Sequence, residues 1–359
     1  MNKKIIFTTG GTGGHIFPAL NLMKFFSKDG NKILLVTDQR GQGFLDKHLK
    51  YESIIIKASS PTNKNFLKKL FSFIIIFFAI LKSILIIKKE KPNLIFGFGG
   101  YVSFPISYAS KFFKIPLVIY ENNSVLGRAN KKLSPIAKKI LLGIKTPSNF
   151  IQRYQNKTFC IGNILSKDII NYLSEENNKN NKIFSILVLG GSQGAKAFGE
   201  IIPPVIKMIK DKGYEIQINQ QCVKEQKDSI ISFYNKNNIK NNIFTFSNNI
   251  LQTIASSDLA ISRCGASTAA ELVEMKTPFI AIPLPESIDN HQYLNAKHYN
   301  DKGCCWIVEQ KNFSITNLFN LIVSILNDKK KLEDIRFNMK KNNSRKVYLK
   351  AENAVKEFI

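Results

Sequence analysis

At 359 residues the chain exceeds what one ordinary hydrophobic core supports, so two domains are expected, and 44% hydrophobic residues with 27 Phe exclude large-scale disorder. Lys and Arg number 52 against 26 Asp and Glu, a formal net charge of +26 that points to nucleic acid, anionic lipid or an anionic small molecule. Only six of the basic residues are Arg, the residue suited to bidentate phosphate or guanine contacts; the Lys and Asn excess recurs in solvated runs such as EENNKNNK (175–182), so most of the charge reads as compositional drift and no nucleic-acid partner is expected.

The N-terminus, MNKKIIFTTGG, is basic, but its apolar stretch runs only from Ile5 to Phe7, too short for a signal-peptide core, and a cytoplasmic location is expected. From there one pattern repeats: a short β-branched run, a Gly-rich turn, then a helix-length amphipathic segment. KKIIFTTGGTGGH leads into a helix candidate over 16–28, and KILLVTDQRG follows at 32–41. NLIFGFGGYVSFP occupies 93–105 and PLVIYENN 116–123. The pattern starts again at Phe184 with FSILVLGGSQGAKAF, followed by strand candidates at 214–218 and 243–246. LAISRCGASTAAELVEM covers 259–275 and PFIAIPLP 278–285. Residues 343–359 suggest a closing helix with Val347, Leu349, Ala354, Val355 and Phe358 apolar. This alternation predicts an α/β protein of two Rossmann-like, doubly wound domains facing a central cleft, with ligands at the carboxyl ends of parallel strands. The restart sets the first domain at 1–160 plus 343–359 and the second at 161–342. Five Cys form no CxxC pair and four His show no HExxH spacing, so no metal and a reducing compartment are expected.

The apolar block Leu70 to Ile87, 18 residues, approaches transmembrane length but contains Lys82, Ser72 and Ser83. A strand candidate follows at 93–96, which favours the crossover helix of a βαβ unit with one membrane-facing side. A plain core helix and a true span are the alternatives. Lys64, Lys68, Lys69, Lys88, Lys89 and Lys91 around the block suit an outer face on anionic lipid.

Gly10, Gly11, Gly13 and Gly14 follow a strand and precede a helix, the setting in which backbone N–H groups approach phosphate oxygens closely. The run ends in His15, where a triphosphate loop requires Gly-Lys-Ser/Thr, and triphosphate hydrolysis is disfavoured. Alone, such a turn also reads as a tight βα connection. GFGGYVSFP (97–105) and LGGSQGA (189–195) repeat the setting, however, so the turns point to one large anionic ligand or to two ligands. A dinucleotide enzyme accounts for the first turn, with Asp38 as the acid ending the second strand, but not for the rest. In SRCGASTAAELVE (262–274) a small-residue turn opens a helix whose N–H groups can hold a diphosphate while Glu271 accepts from sugar hydroxyls. Capping by Ser267 or Thr268, with Glu271 an ordinary early-helix acid, is the plainer reading.

The motifs TGGTGGHIFPAL, FGGYVSFP, YENNSVLGRAN, IGN, GGSQGA, SRCGASTAAEL and PLPESIDNHQYLNA stand in the order and approximate spacing of the MurG family, the UDP-N-acetylglucosamine transferases that complete lipid II; the chain resembles that family from about Lys4 to Ala296. The resemblance implies a GT-B fold, with an N-terminal domain that receives a lipid-linked muramyl pentapeptide (lipid I) and a C-terminal domain that binds UDP-GlcNAc. It implies inverting transfer of GlcNAc to the muramyl 4-hydroxyl without a cofactor, and no DxD motif is present. Carried onto matching positions, the family's donor contacts fall on Thr12, Gly13, Gly14, Asn123, Ser192, Ser247, Ala266, Ser267, Thr268, Ala269, Glu271 and Gln292. Glu271 then holds the ribose, Ser247 meets uracil through its main chain, and Asn123 and Gln292 read sugar hydroxyls. N–H groups of the helix starting near Gly265, aided by Arg263, stabilise the departing UDP.

His15 is the candidate general base, with helix capping or orientation of the acceptor diphosphate as its other reading, and Glu121 is held in reserve. The first glycine turn lies in the acceptor half, so its glycines are expected to hold the acceptor's diphosphate while Thr12 to His15 reach the donor. The chain departs from the family at Ser166, where some members carry the Arg of GNPVR, at Tyr120-Glu121, where some carry His-Glu, and at His291, where Gln is common. Peripheral attachment to the anionic cytoplasmic face of the bacterial plasma (inner) membrane is expected. A UDP-sugar transferase acting on another lipid and a UDP-GlcNAc 2-epimerase of the same fold remain as alternatives; a basic nucleic-acid binder is the reading from a different class.

Overall fold

Strands with apolar residues at consecutive positions need cover on both faces, which parallel sheets flanked by helices supply. KIIFT, KILLVT, LIFG, LVIYE and KILL in the first half, and FSILVL, LAIS and FIA in the second, are of this kind and become buried parallel strands. The computed structural model describes residues 3–10, 13–45, 51–59, 66–145, 147–172, 183–191, 195–247, 249–341 and 346–359, the side chains at 66, 67, 69 and 170–172 excepted.

The chain divides into two units, Met1–Lys167 with Ser344–Ile359, and Asp168–Asn343. The first holds β1 (Lys4–Thr8), β2 (Lys32–Thr37), β3 (Glu52–Ile55), β4 (Leu94–Gly97), β5 (Leu117–Glu121), β6 (Lys139–Leu142) and β7 (Thr158–Cys160), in the order β3-β2-β1-β4-β5-β6-β7 with every neighbouring pair parallel. Helices α1 (Gly13–Phe26), α2 (Gln39–Gln42), α3 (Phe66–Glu90), α4 (Ser103–Ala109) and α5 (Arg128–Leu133) join successive strands, and α6 (Lys167–Tyr172) follows β7. The second unit holds β8 (Phe184–Leu189), β9 (Ile216–Gln221), β10 (Lys240–Phe244), β11 (Leu259–Ser262), β12 (Phe279–Ala281) and β13 (Cys305–Ile307), ordered β10-β9-β8-β11-β12-β13 and again parallel. Its helices are α7 (Lys196–Asp211), α8 (Lys227–Lys236), α9 (Ile250–Ser256), α10 (Ala266–Glu274), α11 (His291–Asn300), α12 (Ile315–Leu326) and α13 (Lys329–Lys340). Strands β9 and β10 reach 216–221 and 240–244 rather than 214–218 and 243–246, because polar residues extend both: Lys240–Asn242 pair with Gln217–Asn219, and Gln220–Gln221 with Ile243–Phe244, where apolar content is no guide.

The first unit ends later than 160. Ile164 and Leu165 are buried in it, and Lys167 lays its ammonium over the rings of Phe25 and Tyr348, 4.7 and 5.2 Å from their centroids. The closing helix α14 (Val347–Val355) returns to this unit: Val347, Tyr348, Ala351 and Val355 are buried, the Tyr348 ring lies tilted against Phe25, and its hydroxyl donates to the Leu165 carbonyl. Leu349, expected on the apolar face, is instead exposed.

One face of the first sheet packs Ile6, Val36, Ile95, Ile119 and Ile140 under Ala79, Ile86 and Ile87 of α3 and Ile106 and Ala109 of α4. Phe7, Phe96 and Phe98 stack on one another, with centroids 5.1 to 5.9 Å apart, beside Phe26 of α1. Each such buried side chain stabilises the fold by about 1.5–3 kcal/mol.

Helix α3 turns its apolar side outward. Ser72, Ala79 and Ser83 are buried, the two serines donating to the carbonyls of Lys68 and Ala79 at 2.8 and 2.6 Å, while Leu70, Phe71, Phe73, Ile74, Phe77, Phe78, Leu81 and Leu85 are all more than two-fifths exposed. Its 21-residue stretch Leu70–Glu90 is long and apolar enough to cross a membrane, and 28% of its apolar window is buried. A plain core helix does not fit that exposure.

Tyr120, standing where some relatives carry His, is a core residue at 2% exposure. Its hydroxyl accepts from Ile164 N at 3.1 Å and donates to the Gly162 carbonyl at 3.3 Å, and burial pushes its ionisation far above the usual phenol range. Both bonds fasten 162–164 to the end of β5. Tyr120→Phe is expected to cost about 1–2 kcal/mol of unfolding free energy, read as a lower urea midpoint at unchanged slope; an unchanged midpoint would show that the hydroxyl holds nothing.

Candidate active site

Strand order reverses between β1 and β4 in the first sheet and between β8 and β11 in the second. At such a switch point the connections leave in opposite directions, so the carboxyl ends of the two central strands open onto a crevice. The glycine turns after β1 and β4 border the first crevice. Gly191 and the turn 263–265 border the second.

In the first unit β1 runs into Gly10, and a side chain there would meet Val102 at 2.7 Å. Gly11 and Thr12 lie outside the described residues; Gly13 and Gly14 open α1. Asn122 donates its amide to the Gly14 carbonyl at 2.7 Å, tying that first turn to the end of β5. The His15 ring sits against Gly99 and Gly100, both at positive φ, and a Cβ on Gly99 would stand 3.4 Å from its Cε1. Glycine there serves both the left-handed backbone and the ring's approach.

Glu121, the reserve base, is 2% exposed and accepts from Asn123 N, Asn123 Nδ2, Gly127 N and Asn130 Nδ2 at 3.1, 2.8, 2.9 and 3.0 Å. With both oxygens bonded it organises the loop 121–130 rather than facing a reacting hydroxyl. Asn123 spends its amide on Glu121 and on Asn122 Oδ1 at 3.1 Å. Asn130, which sequence reasoning passed over, is 1% exposed and also donates to the Tyr120 carbonyl at 3.0 Å. Asp38 is no ribose acid: it caps α2, accepting from Gly41 N at 2.7 Å, and Tyr101 donates to its other oxygen at 3.4 Å.

In the second unit Ser192 lies outside the described residues. Gly265 is the N-cap of α10 and offers no side chain to cap it; Ser267 and Thr268 do not cap either, and the Ser267 hydroxyl is buried without a hydrogen-bond partner. The capping alternative therefore fails, and Ala266, Ser267, Thr268 and Ala269 form an uncapped helix start at the switch point, an environment that favours an anion. Glu271 keeps part of its surface exposed, but its carboxyl is enclosed by protein, and that desolvation pushes its pKa from 4.5 up to about 7. Ser247 follows β10, its hydroxyl accepting from Asn249 N at 3.2 Å, beside the exposed Phe246. Gln292 in α11 accepts from Leu284 N at 3.0 Å, and His291 Nδ1 lies 2.8 Å from the Ile288 carbonyl. Arg263 turns its Nη1 to the carbonyls of Ile282 and Pro283 and to Gln310 Oε1. Ser166 is in the first unit, outside this set. Among the described residues no group of His, Cys, Asp and Glu is arranged to hold a metal ion.

Two doubly wound units, each with glycine turns at its switch point and an anion-ready helix start in the second, are the architecture of the GT-B fold, and the family models make the chain a glycosyltransferase. Residues 5–142 match the glycosyltransferase family 28 N-terminal domain and residues 185–356 its C-terminal domain. The chain is 37% identical over 342 residues, covering 94% of it and 95% of the relative, to the UDP-N-acetylglucosamine--N-acetylmuramyl-(pentapeptide) pyrophosphoryl-undecaprenol N-acetylglucosamine transferase of Rickettsia canadensis (strain McKiel). It is 35% identical to the same-named protein of Pelagibacter ubique (strain HTCC1062), covering 95% of this chain and 94% of the relative. A crystal structure of Acinetobacter baumannii MurG is similar in fold, with a TM-score of 0.81 at 24% identity over 99% of both chains. The chain belongs to the MurG family of N-acetylglucosaminyltransferases.

An acid whose folded pKa lies above its unfolded value stabilises the fold while it is protonated; that contribution is complete below about 4.5 and is lost as pH rises through about 7. Urea midpoints of the ligand-free protein between pH 5 and 8 should therefore fall for the wild type relative to Glu271→Gln, in which this carboxyl cannot ionise. Parallel profiles would place the Glu271 titration elsewhere.

Proposed function

We propose that the protein transfers GlcNAc from UDP-GlcNAc to the 4-hydroxyl of the MurNAc-pentapeptide of lipid I, with inversion, giving lipid II for peptidoglycan synthesis. The observation that carries this reading is the near-full-length likeness to relatives named for that reaction, which spans both units. The bond between the anomeric carbon and the UDP oxygen breaks with its electron pair on the diphosphate. The acceptor oxygen bonds to the same carbon from the opposite side and gives up its proton to the His15 imidazole. Charge gathers on the departing diphosphate, and the uncapped N–H groups at Ala266–Ala269 stabilise it without moving.

Gly13 and Gly14, with Thr12 before them, serve the acceptor diphosphate and the point of transfer. Ser192, Ser247, Glu271 and Gln292 bind the donor, and Asn123 meets a sugar hydroxyl. The prediction is GlcNAc incorporation into a lipid I analogue from labelled UDP-GlcNAc, with His15→Ala slower by about 10²–10⁴. Near-normal turnover of that variant with an unchanged pH profile would remove His15 as the base. UDP-GlcNAc incubated alone separates the other readings, because an epimerase converts it and a transferase does not. A transferase for a different lipid leaves the lipid I analogue untouched.

The protein holds to the anionic cytoplasmic face of the membrane through the outward side of α3, flanked by exposed Lys68, Lys88, Lys89 and Lys91. A peripheral helix of this kind joins apolar burial to attraction for anionic headgroups. Phe71→Ser with Phe77→Ser is expected to weaken cosedimentation with anionic vesicles about tenfold or more while leaving UDP-GlcNAc binding unchanged. Undiminished cosedimentation would move the contact to another surface, and resistance of the wild type to alkaline extraction would mark a true span.

A further inference from the structure

The backbone of Arg263 is fixed by its own sheet: its N–H donates to the Leu189 carbonyl at 3.0 Å, and its carbonyl accepts from Ser262 Oγ at 2.7 Å. Its side chain leaves the turn and does not follow the N–H groups of α10. The guanidinium lies 4.9 Å from the centroid of Phe198, a fully buried residue of α7. Nη1 donates to Ile282 O at 3.0 Å, Pro283 O at 3.3 Å and Gln310 Oε1 at 2.8 Å. Nη1 shares its two protons among these three oxygens, while Nε and Nη2 carry the guanidinium's other three N–H groups.

The next residue along, Leu284, donates its N–H to Gln292 Oε1 at 3.0 Å, and Gln292 N donates to Ser287 Oγ at 3.3 Å. From the other side Asn295 of α11, fully buried, donates to the Cys264 carbonyl at 3.2 Å. The start of the 282–292 segment is thus held to Arg263, and the helix α11 that follows it is held to Cys264 through Asn295. The Gln292 carbonyl is spent on this arrangement, which aims its Nε2 amide as a donor.

We propose that Arg263 is a positioning residue of the donor site: through Nη1 it fixes the 282–284 strand end, through that the orientation of the Gln292 amide, and so helps select the sugar of the donor. The proposal rests on the reading of this unit as the UDP-GlcNAc site. Lysine keeps the charge but has no planar fork to stack on Phe198 while bridging three oxygens, so a role in charge and a role in geometry separate on substitution.

The test compares UDP and UDP-GlcNAc binding by calorimetry, and KM against kcat with the lipid I analogue, in wild type, Arg263→Lys, Gln292→Ala and the double variant. Arg263→Lys should raise the UDP-GlcNAc Kd and KM about tenfold while UDP binding stays within about threefold, and the double variant should be no worse than the poorer single one. Should Arg263→Lys fail to melt as the wild type does, Gln310→Ala, which removes one of the three acceptors, carries the test and should shift UDP-GlcNAc binding in the same direction. Equal loss of UDP and UDP-GlcNAc, additive single effects, or no change at all would overturn the proposal. Wild-type protein that binds neither ligand would overturn the donor reading and this inference with it.

Discussion

The reversal of strand order at β1/β4 and again at β8/β11 is the constraint from which the rest of the chemistry follows. Parallel strands bury their backbone partners along both edges, so the places where backbone N–H groups can be offered to a ligand are the strand ends and the helix starts beyond them. Where successive connections leave in opposite directions, those ends stay uncovered. Thr8 pairs with Gly97 in the first sheet and Ser262 with Leu189 in the second, so the two central strands of each unit end level with each other. The turns at Gly10 and Gly99, and at Gly191 and Gly265, therefore stand side by side within their own units. Everything placed around them, from the His15 ring to the Glu271 carboxyl, is a decoration of this geometry.

Glu121 and Arg263 do comparable work with opposite charge. A carboxylate gathers backbone and amide N–H groups of one loop, and a guanidinium gathers carbonyls and an amide oxygen of another. Glu121 is an acceptor-only group met by four donors, which lets its charge be buried; Arg263, half-buried and donor-only, gathers its three acceptors on Nη1. Several bonds from one charged group tie each loop to a single arrangement, and pre-ordering of that sort lowers the ordering cost of any binding that uses the loop. Glu271 differs: among the described residues no such set of donors surrounds it, and burial alone raises its pKa to about 7.

The glycine turns and both sheets were legible because their causes are local. A β-branched run, a glycine pair and a helix start sit close together in the chain, and a parallel sheet writes its strands as unbroken apolar runs. Four other features, among them the bonding role of Arg263, were not legible for the converse reason. In α3 nearly every position is apolar, so periodicity had no contrast from which to tell the inward from the outward side; small Ser72, Ala79 and Ser83 mark the inward one because they allow close packing under α4. Asn130 is defined by a loop closing back on Glu121, nine residues away, and Arg263 by carbonyls 19 and 20 residues on and an amide 47 residues on. Strand β9 ends in Asn219, Gln220 and Gln221, polar residues that pairing with β10 holds extended.

A signal for Arg263 was nevertheless present in the composition. In a chain that uses Lys for nearly all its positive charge, six Arg survive, at 40, 128, 153, 263, 336 and 345. On a solvated surface lysine serves as well, so drift toward Lys meets no resistance there. Resistance arises where a planar group must stack and bond at once. Arg40 lies over the Tyr101 ring, Arg153 over Tyr154, and Arg263 over Phe198, while Arg336 bonds the Asp258 carbonyl and pairs with its carboxylate. Four of the six Arg in this Lys-rich sequence thus sit where a planar group stacks or bonds, and Arg263, inside the SRCGAS turn, uses that shape to hold the segment at 282–284.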